Sequence, residues 1–349
     1  MAQESIIAPY AEVHRPENLR GAGDGRPTAI QIIEDEHLIN KWSDKTVLIT
    51  GGSSGIGVET ARALHATGAR VFITTRDNAK AESVAADILA NSPSKVPIEI
   101  VFMELGSLDS VKAGVEDFRS RSDKLNILIN NAGIMAAPHG HTKDGFELQF
   151  GTNHLSHFLL TKLLLPTLIA SSTPEFASRI VNLSSNGHLY HNKGGLTPEV
   201  FADLDFKQTP YNEWAAYGRS KTANILHANR LERLYGSSPD HPVHAFSLHP
   251  GGITTALWRH QGDMVATRLQ GFASIWKSPE QGAATSVWCA VAKVWEGKAG
   301  RYCENCQESV PVQENPKMGD PGYGPWAKDP VAEQKLWEMS EEMVAPWLK

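Results

Sequence analysis

Short runs of β-branched and apolar residues alternate along this chain with longer segments whose apolar positions recur at helical spacing. The short runs predict six strands, at 46–50, 70–74, 98–103, 126–129, 179–183 and 243–248. The longer segments predict helices at 56–67, 79–91, 108–121, 146–170, 214–235 and 279–294, and a final amphipathic helix at 331–344. This alternation is typical of an α/β fold, so we expect a doubly wound parallel sheet with helices on both faces.

The first 44 residues break this pattern, because they are rich in proline, glycine and charged residues. Residues 21–27, for example, contain three glycines and a proline. We expect an N-terminal extension at 1–44 that is partly flexible, with one short helix near 30–40 and no role in the chemistry. Residues 45–349 are then a single domain, since no internal repeat divides them.

Composition and charge exclude several classes of partner. The formal net charge is −6 and the cationic residues are scattered, so we expect no nucleic-acid binding. The longest apolar stretch, 158–170, contains Lys162 and Pro166 and is too short for a bilayer, which predicts a buried helix and no membrane span. Residues 1–20 lack the apolar core of a signal peptide, so we expect a cytoplasmic protein.

The three cysteines are too few for a disulfide framework and suit a reducing compartment. Cys303 and Cys306 have the CxxC spacing of metal and redox sites. No second CxxC and no pair of histidines accompanies them in the sequence, so we predict no metal site.

A glycine-rich turn joins the first predicted strand to the first predicted helix, where Thr50 is followed by Gly51-Gly52-Ser53-Ser54-Gly55-Ile56-Gly57. A dinucleotide pyrophosphate needs a tight turn, a backbone without side chains in its path, and free amides at a helix N-terminus. Glycines between a strand and a helix provide all three. The context therefore favours nucleotide binding over an ordinary loop and makes the expected sheet Rossmann-type.

The end of the second predicted strand indicates which dinucleotide is bound. An acidic side chain there pairs with the 2′-hydroxyl of NAD, whereas a cation suits the 2′-phosphate of NADP. Arg76 stands at this position, and Lys80 follows one helical turn later as a second cation. A solvated surface charge is the alternative for Arg76, but its place at the strand end favours NADP(H).

Tyr217 and Lys221 are four residues apart in a predicted helix, so their side chains share one face. A free tyrosine, with a pKa near 10, is a poor base at neutral pH. A neighbouring cation favours the phenolate, so we expect Lys221 to lower the pKa of Tyr217. The phenol then passes a proton to or from a substrate oxygen while hydride moves at carbon. Alone, this spacing is a weak signal, because it recurs by chance on solvated helices.

Taken in order, the motifs of residues 45–310 resemble those of the short-chain dehydrogenase/reductase family. They are the GxxxGxG turn, Asn130-Asn131-Ala132-Gly133 as the family's NNAG, the strand that ends at Ser184-Ser185, the Tyr217/Lys221 pair as YxxxK, and His249-Pro250-Gly251 as the PG motif. The match implies the family's oxidoreductase chemistry.

The resemblance also implies roles for four residues. Tyr217 is the acid/base, and Lys221 binds the ribose hydroxyls and tunes the phenol. Ser185, rather than Ser184, holds the substrate oxygen. Asn153 supports a proton relay through water, with simple helix packing as the alternative.

Contacts with the NADP(H) cofactor follow from the same resemblance. They come from the glycine turn, the ends of the second and third strands, NNAG, YxxxK and the PG motif: Gly51, Ser53, Ser54, Gly55, Ile56, Gly57, Arg76, Lys80, Glu104, Leu105, Asn131, Ala132, Gly133, Tyr217, Lys221, Pro250, Gly251, Ile253 and Thr255. Glu104 departs from the family, which usually has aspartate there. Because glutamate is one methylene longer, the contact we expect at that position is the one made by the backbone.

Two further segments narrow the resemblance. The aromatic-rich stretch between Ser185 and Tyr217 and the tail motif Gly300-Arg301-Tyr302-Cys303 resemble the retinol-dehydrogenase-like and WW-domain-oxidoreductase branch, although no WW domain is present. Residues at about 255–277 form either a lid that excludes water or a pair of core helices. A lid so rich in Trp, Phe and Leu implies a hydrophobic small-molecule substrate, with retinoids, steroids and aromatic polyketide ketones all left open.

The predicted function is therefore an NADP-dependent reductase of a ketone or aldehyde, or the reverse oxidation. Two alternatives remain at this point: a regulatory protein that senses NADP without catalysis, and a dehydratase or epimerase of the same fold. Since family members pair through the helices that carry Asn153 and Tyr217, a homo-oligomer is a further expectation.

Overall fold

One eight-stranded sheet organises the computed structural model, which describes residues 6–261, 273–314, 316 and 320–349. Its strands, in chain order, are β1 Thr46–Ile49, β2 Arg70–Thr75, β3 Glu99–Phe102, β4 Ile127–Asn130, β5 Ser178–Leu183, β6 Val243–His249, β7 Tyr302–Glu304 and β8 Gln307–Glu308. The spatial order is β3-β2-β1-β4-β5-β6-β7-β8. Every pair is parallel except β7 with β8, which is antiparallel.

Helices connect the parallel strands, as such strands require. In chain order, the helices of the described ranges are α1 Ala29–Asp35, α2 Ile56–Ala66, α3 Asn78–Asn91, α4 Leu108–Arg121, α5 Leu148–Phe150, α6 Ser156–Ser171, α7 Gly187–Tyr190, α8 Pro198–Ala202, α9 Glu213–Leu231, α10 Pro279–Val291 and α11 Pro330–Val344, of which α1 precedes the first strand and α11 follows the last. Side-chain caps fix several N-termini. Asn212 accepts from the Ala215 amide at the start of α9, and Ser278 and Gln281 form a capping box on α10.

Two cores lie on opposite faces of the sheet, because successive strand side chains point to opposite sides. Val47 and Ile49 of β1 face the core that holds α1, α2 and α10. Leu48, between them, faces the core that holds α4, α6, α9 and α11. The predicted fold, a doubly wound parallel sheet of Rossmann type with helices on both faces, is confirmed.

Two predicted helices differ in detail from the structure, and one hairpin was not predicted. The single helix expected at 146–170 is divided into α5 and α6 by a π-helical turn at Gly151–Leu155. The helix expected at 214–235 also ends in a π turn, at Glu232–Gly236. The CxxC spacing belongs to the β7–β8 hairpin, where Asn305 and Cys306 occupy the turn with φ of 54° and 52°.

The described part of the N-terminal extension packs onto the domain, which differs from the partly flexible lead-in that its composition suggests. Ile32 and Ile33 of α1 are fully buried in the core shared with α2 and α10. Arg26, within the glycine-rich stretch, is only 4 % exposed. Apolar side chains spaced along α1 thus outweigh the glycine content around them.

The C-terminal helix α11 packs across α6 and α9. The Trp337 ring lies edge-on to Phe158, with 5.0 Å between centroids, and Lys162 forms an ion pair with Glu341 at 2.7 Å. The outer face of α6 and α9, through which pairing was expected, is therefore covered by the chain's own helix along this contact. The homo-oligomer stays a prediction. Among the helices of the described ranges, none is long and apolar enough to cross a membrane.

We expect Trp337→Ala to lower the free energy of unfolding by about 3 kcal/mol, because it deletes a buried ring against Phe158 and leaves a cavity. Val331→Ala, on the exposed side of the same helix, is the matched control and should leave the value nearly unchanged. Urea denaturation followed by circular dichroism measures both. Equal midpoints for the two variants would contradict this role of α11.

Candidate active site

The predicted site residues meet at the carboxyl edge of the sheet, where the strand order reverses between β1 and β4. From this point the chain proceeds outward through β2 and β3 on one side and through β5 and β6 on the other. The loops after neighbouring strands then diverge and leave a crevice, which is where open α/β sheets bind ligands.

The glycine turn after β1 has the geometry that a pyrophosphate requires. Gly51 and Gly55 have φ of 67° and 56°, in the region that favours glycine. A Cβ on Gly52 would lie 2.5 Å from Ile73 Cγ2, and one on Gly57 would lie 2.4 Å from the Gly51 carbonyl oxygen. The turn leads directly into α2 at Ile56, so its free amides end at a helix N-terminus. These residues fit a dinucleotide.

Thr50 joins this turn to the NNAG loop, a role that the sequence did not reveal. Its hydroxyl oxygen accepts from the amides of Asn131 at 2.9 Å and Ala132 at 3.0 Å. His157 lies on the other side, with Nε2 2.9 Å from the same hydroxyl and Nδ1 2.9 Å from the Asn153 carbonyl oxygen. Since a carbonyl only accepts, Nδ1 carries the proton and Nε2 accepts from Thr50. Burial favours this neutral ring by lowering the pKa of His157 to about 4.

Asn153 lies in the π turn between α5 and α6, and it is fully buried. Its Oδ1 accepts from the Ile134 amide at 2.9 Å, and its Nδ2 donates to the Ile134 carbonyl and to the Ser220 hydroxyl at 3.0 and 2.9 Å. The amide group therefore fixes the NNAG loop against α9. The proton relay expected of Asn153 stays a prediction.

Ser185, Tyr217 and Lys221 lie together, as the motifs predict. The Ser185 hydroxyl lies beside the Tyr217 ring, since a Cβ on Gly187 would lie 2.8 Å from Tyr217 Cε1 and 3.4 Å from Ser185 Oγ. Ser185 donates to Asn186 Oδ1 at 3.3 Å, and the Gly187 amide donates to the Ser185 hydroxyl at 3.0 Å. The Lys221 ammonium lies 5.7 Å from the centre of the Tyr217 ring and donates to the Leu183 carbonyl at 3.0 Å. Ser184 instead donates to the Lys221 carbonyl, so it is turned into the protein.

Burial dominates the protonation of this group. It raises the pKa of Tyr217 to about 12, although the neighbouring Ser185 hydroxyl lowers it in part. Burial also lowers the pKa of Lys221 to about 8. The pKa of Tyr217 is therefore raised and not lowered as expected, because removing the phenolate from water costs more than the Ser185 hydroxyl returns.

The predicted adenosine-side residues lie at the opposite end of the crevice. Arg76 and Lys80 are exposed just beyond β2, and the Asp77 side chain between them accepts from the Lys80 amide as the N-cap of α3. No residue of the described ranges forms an ion pair with Arg76. The carboxylate of Glu104 is paired with Lys143 at 2.7 Å, so its side chain already has a partner at the surface.

The PG motif and the residues after it lie beside the glycine turn. Gly251 has a φ of 106°, where a side chain would be strained, and a Cβ on Gly55 would lie 3.4 Å from Thr255 Cγ2. Thr255 thus lies against the glycine turn, and the cofactor contact expected of its hydroxyl stays a prediction. The Ile253 carbonyl accepts from the Trp258 indole at 3.0 Å, which places an aromatic ring beside the motif.

An apolar cluster packs around Tyr217, which is itself buried. Met135 and Ala136 are buried against the phenol ring, and Trp214, Leu257 and Trp258 pack around them. None of these five was predicted as a site residue, although the aromatic content of two of the segments was noted. The region expected to be a lid or a helix pair, at about 255–277, lies partly outside the described residues, at 262–272.

The three thiols belong to α10 and to the β7–β8 hairpin. Cys289, Cys303 and Cys306 are free and buried. Within the described ranges no group of His, Cys, Asp or Glu residues could hold a metal ion.

A parallel sheet with a glycine turn at its switch point and a buried Ser-Tyr-Lys group beside it defines a dinucleotide-dependent oxidoreductase. Comparison with known proteins agrees, since the family described as short chain dehydrogenase matches residues 45–196. The chain belongs to the short-chain dehydrogenase/reductase family, and its retinol-dehydrogenase-like branch is supported by the relatives below. Its cofactor is accordingly a nicotinamide dinucleotide.

The similarity to individual relatives covers most of the chain. The chain is 45% identical over 328 residues to the short-chain dehydrogenase/reductase prx1 of Penicillium roqueforti, and the match covers 93% of this chain and 92% of the relative. Retinol dehydrogenase 12 of Mus musculus is 41% identical over 264 residues, with 75% and 78% covered. A solved structure from Mycobacterium paratuberculosis has 30% identity and a TM-score of 0.64, with 92% of this chain and 98% of that one covered.

The lowered pKa of Lys221 predicts how stability changes with pH. Below about pH 8 the ammonium is charged in both states, and folding carries the full burial penalty. As pH rises from about 8 towards 10.5, the folded state releases this proton first, so the penalty shrinks and stability rises. Between pH 8.5 and 9.5, Lys221→Met should lower the slope of the free energy of unfolding against pH by about 1 kcal/mol per pH unit. Guanidinium denaturation across that range measures the slope for both proteins. Identical slopes for the wild type and Lys221→Met would contradict this role of Lys221.

Proposed function

We propose that this protein reduces a ketone or aldehyde on a bulky hydrophobic small molecule with NADPH, or oxidises the corresponding alcohol. The observation that carries the proposal is the juxtaposition of Ser185, Tyr217 and Lys221, with an apolar cluster around the phenol ring. Hydroxyl groups that converge in this way can hold one substrate oxygen between them. The apolar cluster then determines which carbonyl compounds can reach that oxygen position.

In the reductive direction, a nicotinamide held by these residues would supply the hydride that the carbonyl carbon accepts. Tyr217 gives its phenolic proton to the carbonyl oxygen, so that the C=O bond becomes a C–H and an O–H bond. Ser185 donates a hydrogen bond to the same oxygen as negative charge develops on it. A phenol whose pKa burial raises to about 12 is fully protonated at neutral pH, which suits a proton donor.

Lys221 and Asn153 support the proton transfer from Tyr217. The Lys221 ammonium is held by the Leu183 carbonyl on the strand that leads to Ser185, within reach of a ribose bound over the NNAG loop. Asn153 fixes that loop through both polar groups of Ile134. We assign Lys221 to ribose binding and to the electrostatics of Tyr217, and Asn153 to positioning and to the water-mediated relay.

A hydrophobic substrate is supported by the residues that line the approach to Tyr217. Met135, Leu257 and Trp258 offer an apolar and aromatic surface without a charged side chain among them. The relative from mouse is named as a retinol dehydrogenase, a name that indicates an extended apolar alcohol. The same class of compound suits this cleft.

NADP(H) rather than NAD(H) is supported by Arg76. Its side chain is exposed at the end of β2, where the ribose of a dinucleotide bound across the switch point would lie. The nearest acidic residue in sequence, Asp77, is engaged as the cap of α3. A 2′-phosphate would therefore meet a guanidinium instead of a carboxylate.

Tyr217→Phe tests the proposed acid. We expect kcat for an apolar ketone to fall at least about 100-fold, because general acid catalysis contributes factors of this size, while the dissociation constant for NADPH stays nearly unchanged. Tyr235→Phe, in the π turn that follows α9, is the matched control and should keep wild-type activity. Substantial turnover by Tyr217→Phe would refute the assignment.

Arg76→Ala tests the cofactor preference. Loss of a charge-assisted hydrogen bond predicts a fall of about tenfold or more in kcat/KM with NADPH and little change with NADH. Lys207→Ala, an exposed cation far from β2, controls for net charge and should leave the NADPH/NADH ratio as it is. A wild-type enzyme that prefers NADH would overturn this part of the proposal.

A further inference from the structure

The N-terminal loop at 21–26 is bound tightly to the segment at 273–277, which leads into α10. The Arg26 guanidinium donates to the Ile275 carbonyl at 2.9 Å and to the Trp276 carbonyl at 2.5 Å. It also donates to the Gly21 carbonyl within its own loop at 3.1 Å. Arginine suits this task, because its planar fork presents several donors in fixed directions at once.

The surroundings of Arg26 hold it in this position. Asp24 forms an ion pair with its Nε at 2.7 Å, and the two side chains are only 2% and 3% exposed. Gln281, from the first turn of α10, donates to the Asp24 and Arg26 carbonyls and accepts from the Gly23 amide. A buried guanidinium is retained only where such partners satisfy it, so the loop is a built contact and not a loose tail.

The contact is transmitted to the active site through Trp276. The Trp276 ring lies over Gly252 of the PG motif, where a Cβ would be 3.6 Å away, and 5.5 Å from the Trp258 ring. Trp258 belongs to the apolar cluster around Tyr217. The next residue, Lys277, donates its amide to the Gly252 carbonyl at 2.9 Å, which fixes the segment against the same motif.

We propose that the N-terminal loop is part of the substrate-binding machinery, with Arg26 as a positioning residue that holds Trp276 and, through it, Trp258 beside the cleft. The inference deepens the proposed function and rests on it for the nature of the substrate, a bulky apolar carbonyl compound. A large substrate needs this aromatic pair in place, whereas a small aldehyde reaches Ser185 and Tyr217 without it.

The test compares Arg26→Lys with the wild type. Lysine retains the charge beside Asp24 but cannot donate to both carbonyls as a fork. The double variant D24N/R26Q also removes the guanidinium, and it leaves no unpaired buried charge. Arg15→Ala, an exposed arginine of the same N-terminal region, is the control.

Steady-state kinetics with NADPH should use a panel of bicyclic and aromatic ketones and propanal as the small probe. We expect both Arg26 variants to raise KM for the bulky ketones about tenfold, with kcat/KM for propanal and the dissociation constant for NADPH within about twofold of wild type. Arg15→Ala should match the wild type throughout. Equal losses with bulky and small probes, or no loss with either, would overturn the proposal.

Hydrogen–deuterium exchange separates this inference from the proposed function. Faster exchange of the amides at 273–277 in the Arg26 variants, and not in Arg15→Ala, supports the anchoring by Arg26. Unchanged exchange overturns it. If the wild type reduces none of the carbonyl probes, the proposed function fails, and the exchange rates still decide whether the loop positions the Trp276 segment.

Discussion

The hydrogen bonds of the Thr50 hydroxyl determine how the two halves of the sheet present their loops. β1 and β4 are neighbours, yet one leads to the phosphate-binding turn and the other to the NNAG loop. By accepting from the amides of Asn131 and Ala132 and donating to His157, Thr50 uses its whole hydrogen-bonding capacity to hold these loops together. The Asn131 side-chain amide donates a hydrogen bond to the Thr50 carbonyl at 2.8 Å. The width of the cofactor crevice follows from these contacts.

The same chain of contacts continues to the catalytic helix. His157 binds the Asn153 carbonyl, and the Asn153 side chain reaches Ser220, which directly precedes Lys221 on α9. A Cβ on Gly133 would lie 3.0 Å from Asn153 Oδ1 and 3.4 Å from Lys221 Nζ, so the loop approaches both groups as closely as a glycine allows. These hydrogen bonds are buried, where the low local dielectric strengthens them. The site is thus preorganised by atoms that never touch substrate.

Sequence reasoning located the strand ends well, because β-branched runs mark buried parallel strands and their carboxyl ends must share one edge. The positions of Ser185, Tyr217 and Lys221 followed from that rule together with the family resemblance. Other features left no such signal. The π turn around Asn153 depends on tertiary contacts, and the β7–β8 hairpin is too short to show a period. The burial of Arg26 depends on partners about 250 residues away in the chain.

The electrostatics of Tyr217 show why a motif alone does not determine a pKa. Lys221 is close, as the spacing predicts, but both groups are buried, and desolvation acts against the charged form of each. The phenol is therefore neutral with the protein's own groups around it. Coulomb interactions strengthen as the local dielectric falls, so the same burial makes the phenol more sensitive to any charge placed beside it. A buried, neutral phenol suits the proton donation to a carbonyl that we propose for Tyr217, and the reverse reaction would depend on positive charge that arrives with the cofactor.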